Sequence, residues 1–263
     1  MVAPEVNSAF QETPVIGVAL AVVFAVAATP SAPRQPPAPL PIEQEAARVF
    51  ADTAATFPAR SDLADRLQAA LANPGDAETR GRLALLWVRA MQQALGSIPF
   101  TIDATTQEPY RSWLARHEGH VNYSEPAGQW LMGTDHLWQL HNEHRRTASA
   151  EPLAWEVVEN GLPGECEGYP PCYLAGLDRL HGEYLRRHPR GANAAEAVEQ
   201  IRESSVQSVS LITGPTSQEF FTPATDCVDL VPTAKTLRAA LVRSGVDARD
   251  AIALIDALRA RCP

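Results

Sequence analysis

Histidine is the residue type in this chain whose spacing could do chemistry. Five of the seven, His117, His120, His136, His141 and His144, fall within 28 residues. RHEGH ends on His120 and HNEH ends on His144, and each places two imidazoles three residues apart. On a helix such a pair shares one side, so each could offer two nitrogen ligands to a metal or an acid–base couple. Asp135, Glu118 and Glu143 stand near enough in sequence to complete a site. A zinc site would require His117 or His120 to approach His141 or His144, with nitrogens about 2.0–2.1 Å from the ion. HEGH is not the H-E-x-x-H signature, and Gly119 costs a helix about 1 kcal/mol relative to Ala, which favours a loop for the first pair. The preferred expectation is therefore that the histidines do not converge. Trp138 should face the core, while His141, His144, Arg145 and Arg146 form a solvated end complementing the helix C-terminus.

Other chemistry is sparse, and no cofactor is implied. There is no G-x-S-x-G elbow and no glycine-rich phosphate loop, and Thr213-Gly214-Pro215 reads as a turn. Glu118, Glu125, Glu143, Glu165 and Glu167 are carboxylates in number, but their separation is not a sequence property. The four cysteines, Cys166, Cys172, Cys227 and Cys262, suit two disulfides in an oxidising compartment and form no C-x₂-C zinc knuckle. Cys166 is expected to pair with Cys172 across a turn-rich loop, and Cys227 with Cys262, because the start of one hairpin helix lies beside the end of the other. Glu165 and Glu167 beside Cys166 would raise its thiol pKa and speak for a bridge over a nucleophile.

The elements that must position these residues begin with an address. Val15 to Thr29 is uncharged and almost wholly apolar. A bilayer core about 30 Å thick needs roughly 20 helical residues, so this segment has the length of a signal-peptide core. Ala25-Val26-Ala27 supplies a cleavage site, and the expected location is periplasmic or secreted. Residues 1–14 carry Glu5 and Glu12 and no Lys or Arg, unlike a signal n-region. The alternative is a membrane tether through residues 15–29. Residues 30–41, PSAPRQPPAPLP, read as a semi-rigid polyproline spacer. A net charge of −9 speaks against a nucleic-acid partner.

From Ile42 onward the apolar spacing is mainly helical. Ser61 should cap SDLADRLQAALA and Asp76 should open a helix whose Leu83, Leu86, Trp87, Ala90 and Met91 stripe reads as core, with a ligand groove on Trp87 and Met91 as the alternative. Helix is expected again over Tyr110–His117, from Thr134 and from Ser149. Ser97–Ile102 and Val206–Thr213 are the candidate strands, though VQSVSLIT also continues the preceding helical pattern. Pro189 should stop one helix and Asn193 open the next, while Thr233 and Asp247 cap two C-terminal helices.

Within GEYLRRHPRGANAAEAVEQI, Tyr184-Leu185, His188-Pro189, Gly191, Ala195 and Ala197 stand as an aromatic helix end, a Pro turn, a small residue and an Ala-rich helix. This stretch, Gly182 to Ile201, resembles the inter-helix linker of tetratricopeptide-type repeats in bacterial cell-envelope proteins, which implies stacked helical hairpins; no second copy follows at 34-residue spacing. The expected fold is a mainly α, irregular helical-hairpin array, repeat-like on that resemblance, with a disulfide-stapled C-terminal hairpin. The expected division is 1–29 signal peptide or anchor, 30–41 linker, 42–212 main helical domain, 213–226 linker and 227–263 hairpin.

Two function classes stand. The preferred one is an exported envelope module binding a protein or peptide; the other is an envelope enzyme or metal-binding protein using His117, His120, His141 and His144. Titratable groups converging in a concave pocket would mark the second, and an apolar groove without them the first.

Overall fold

The computed structural model describes residues 41–73, 75–161, 166–215 and 217–263, without the side chains of residues 217 and 218. The expected leader and the spacer up to residue 40 lie outside the described residues. The rest is mainly α-helical, as its periodicity requires. The N-terminal helices are α1 (Pro41–Ala51), α2 (Phe57–Leu71) and α3 (Ala77–Leu95). α2 starts ahead of the expected Ser61 cap: Thr56 holds the N-cap position and Pro58 occupies the first turn, where its missing N–H leaves no bond unmade. The Ser61 hydroxyl instead donates to the Pro58 carbonyl at 3.2 Å. α3 opens where expected, with the Asp76 carboxylate accepting from the Thr79 N–H at 2.9 Å. Its stripe from Leu83 to Leu95 is core, and Leu63 and Leu67 of α2 are fully buried beside it.

The middle of the chain holds α4 (Tyr110–Arg116), a hairpin of β1 (Val121–Ser124) and β2 (Gln129–Met132), α5 (Thr134–His144) and α6 (Ala150–Asn160). The hairpin pairs Val121 with Met132 and Tyr123 with Trp130. Neither expected strand forms. Residues 97–102 make turns off the end of α3, and residues 206–213 complete a helix, because Ser208 and Ile212 keep the helical burial of Val198 and Ile201.

The second half runs α7 (Pro170–Leu177), a π turn over Asp178–Gly182, α8 (Glu183–Arg187), α9 (Ala194–Thr213), the short α10 (Ser217–Phe220), α11 (Pro223–Arg243) and α12 (Arg249–Arg259). Pro189 and Asn193 do bracket the α8–α9 turn. Thr233 is not a cap. α11 passes through Pro232, and Leu230, Ala234 and Leu237, all fully buried, hold the helix together across the missing N–H. Cys227 and Cys262 are bridged with Cα atoms 5.6 Å apart, stapling α11 to the end of α12. Cys166 and Cys172 are bridged at 5.4 Å.

Within the stretch read as a linker, two aromatic residues are docked. Phe221 is buried, and Phe220 lies so close to Gly168 that a Cβ there would stand 2.7 Å from its ring. Gly168 also has φ +86°, so this docking of α10 on the disulfide loop depends on glycine twice over. The described residues belong to one compact unit. No helix among the described residues is long and apolar enough to cross a membrane.

Candidate functional site

α5 carries three of the clustered histidines and sends them two ways. At roughly 100° per residue, His136, Leu140, Glu143 and His144 share one face, while Leu137, Trp138 and His141 lie on the next. The HNEH pair is therefore split, since the boundary between faces falls between residues three apart. Gly81 sets the distance from α3: a Cβ there would stand 2.5 Å from the Thr147 hydroxyl, so only glycine lets α3 close on the turn after α5. That approach brings Arg80 and His144 to the rim of one cleft of about 420 Å³.

Trp87, His120 and His136 line this cleft together. The two imidazole centroids are 4.3 Å apart, and the indole stands edge-on to both at 5.3 and 5.7 Å. His120 belongs to the turn after α4, held by its N–H to the His117 carbonyl at 2.8 Å and by its carbonyl to the Gly133 N–H at 3.0 Å. Trp87 is 2% exposed. Its Nε1, with Nδ1 of His120 and Nε2 of His136, is buried and has no hydrogen-bond partner among the described residues. An unmade buried bond costs on the order of 1–3 kcal/mol, so three at one cleft call for an explanation. Burial pushes the pKa of His120, His136 and His144 down; the neighbouring His117 and His120 add to this at His120 and His136, and Glu143 opposes it at His136 and His144. The cleft histidines are thus held toward the neutral form.

His141 is in the interior and not at a solvated end, being 3% exposed. Its Nε2 lies 2.9 Å from Nε2 of His188, and Arg187 Nη1 donates to its Nδ1 at 3.2 Å. Because Arg187 can only donate, Nδ1 of His141 accepts, so Nε2 carries the proton and gives it to His188. The Arg187 guanidinium lies 4.7 Å above the Trp138 ring, is held by Glu183 at 2.6 Å and also bonds Asn142. Burial, Arg187 and His188 together push His141 down to about 4. Next to this pair the buried Tyr184 hydroxyl donates to Glu151 and accepts from the Asn193 N–H at 3.2 Å.

His117 takes a third path. It is buried, with Nε2 donating to Asp65 at 2.8 Å, and Asp65 also accepts from Trp113 Nε1 at 3.0 Å and Arg116 at 2.9 Å. The sequence expectation that the two histidine pairs stay apart is thus corrected in part: His120 and His144 share the cleft, while His117 and His141 are bound elsewhere. Among the described residues no group of three or more His, Cys, Asp or Glu side chains is placed to hold a metal ion. Glu118 lines a different surface cleft, beside Arg111 and Trp130, and Asp135 is exposed. Sequence reasoning left out Arg80, His136 and His188 as site residues. The four-residue steps from His136 to Leu140 to His144 were the signal for His136; for Arg80 and for His188, remote in sequence, there was none. Trp87, read as core, is core and cleft floor at once.

No family model matches this chain, and no curated protein or solved structure is similar enough to it to match.

Proposed function

We propose that this chain is an exported, disulfide-bridged helical binding protein whose site is the histidine cleft between α2, α3 and α5, and that its ligand is a small polar molecule. The observation that carries this reading is the set of three unpartnered buried nitrogens, on Trp87, His120 and His136, at a cleft of about 420 Å³. That volume falls in the range of small-molecule sites. Trp87 Nε1 can only donate and is no metal ligand, which favours a ligand oxygen over a cation. The even cysteine count, both bridges and the Val15–Thr29 segment support export.

Side-chain NMR of the untagged full chain tests the binding reading. On addition of the low-molecular-weight fraction of an envelope extract, the Trp87 indole N–H and the His120 and His136 rings should shift, and His141 and His188 should not. Unchanged cleft resonances would refute a small-molecule site. N-terminal sequencing of the natively exported protein should find a start near Ala28; full-length protein in the cytoplasm would refute export.

A further inference from the structure

Two opposite charges stand at this cleft with no ion-pair partner among the described residues. Arg80 is exposed, lines the cleft and forms no ion pair among the described residues. It sits in the first turn of α3, where the helix N-terminus disfavours a cation. Glu143, on the facing helix α5, lines the same cleft and forms no ion pair there; its one side-chain bond is from the Gln139 amide at 2.9 Å. His144 lies within electrostatic reach of both. Trp87, whose buried indole N–H has no partner among the described residues, lines the same cleft.

Resting on the binding reading above, we propose that the cleft takes a zwitterion of amino-acid to dipeptide size, its carboxylate received by Arg80 and the Trp87 indole N–H and its ammonium by Glu143. A lone oxyanion would leave Glu143 as a repulsive neighbour, and a lone amine would leave the indole N–H unmet and Arg80 repulsive. The unpartnered nitrogens of His120 and His136 complete the polar contacts: a neutral imidazole can donate at one nitrogen or accept at the other, so the pair suits either end of the ligand. Apolar Leu71 and Leu140 on the cleft wall receive the ligand's hydrocarbon part.

Matched triads test this by calorimetry and by the Trp87 indole resonance, using the untagged full chain. Each triad holds an α-amino acid, its des-amino acid and its decarboxylated amine, with apolar, polar or charged side chains, and zwitterionic dipeptides extend the set. In at least one triad the amino acid should bind at least tenfold more tightly than either truncated analogue. Glu143→Gln should bring it to the level of the des-amino acid, and Arg80→Met to that of the amine. Both side chains are exposed, so neither substitution threatens the fold. A des-amino acid or an amine that binds as well as its parent throughout would overturn the proposal. So would an envelope extract that shifts Trp87 while no zwitterion does, leaving the binding reading intact. Silence from the extract as well would remove both.

Discussion

His136 and His141, both on α5, belong to two histidine groups that differ in what they have left to give. His141 and His188 share one proton between two Nε2 atoms, and Arg187 occupies the far nitrogen of His141. His120 and His136, at the cleft, each keep a buried nitrogen with no partner. Both ring nitrogens of His141 are bonded inside the protein, whereas His120 and His136 each keep one that no described residue satisfies. Clustering along the chain does not separate them, because His136, His141 and His144 all belong to one helix. Completeness of hydrogen bonding does.

The largest effect should come from breaking the complete pair. His141→Ala leaves Arg187 and His188 without their central partner in the interior, and unfolding by denaturant should show a loss of about 3 kcal/mol with the cleft resonances unmoved. A loss below about 1 kcal/mol would mean that the pair is not structural and would erase the contrast.

Acid should act on the same pair with the next largest effect. The His141 pKa is held near 4 in the folded chain and stands at about 6.5 when unfolded, so below neutrality the unfolded chain binds the extra proton and stability falls as pH falls through this window. From about pH 7 to about pH 5 His141 should contribute a loss of about 2 kcal/mol. His181, also pushed to about 4 by burial, acts with the same sign. The measurement is denaturant unfolding at stepped pH, and the profile of His141→Gln should be flatter by the His141 share. Equal slopes in the two proteins would show that His141 does not titrate as its surroundings require.

Much of this was legible in the chain before its structure. Capping by Asp76, the periodic stripe from Leu83 to Met91, the turn from Pro189 to Asn193 and the pairing of Cys227 with Cys262 all follow from local pattern, and the structure has them. What failed was decided by distant contacts. Pro232 and Thr233 look like a boundary until Leu230, Ala234 and Leu237 are buried around them. The face on which His141 lies is readable from α5, but that this face meets His188 depends on how α8 packs against it. The cleft was open only as the groove alternative at Trp87 and Met91, for the same reason: Arg80, Trp87, His120 and Glu143 come from three segments that the fold brings together, and Met91 does not line it.

A smaller effect is expected where a polar atom has nothing to lose. His136→Leu removes a buried nitrogen that has no partner and replaces it with an apolar group of similar size, so the change in unfolding free energy should stay within about 1 kcal/mol and can favour the variant. A cost near that of His141→Ala would place His136 among the structural histidines and undo the comparison from the other side.

The smallest effect should be that of Arg80→Met, within about 0.5 kcal/mol, and its sign carries the argument. Most exposed arginines have an acidic partner or complement a helix C-terminus, and losing either costs a few tenths. Arg80 has no ion pair among the described residues and stands in the first turn of α3 with the Asp76 cap below it, so its charge opposes the helix dipole. Removing that charge should leave the midpoint of unfolding unchanged or raise it slightly at low salt, and the gain should vanish as salt screens the dipole. If Arg80→Met instead lowered the midpoint by several degrees at every salt concentration, the side chain would have a structural partner, and the cleft would lose its cation.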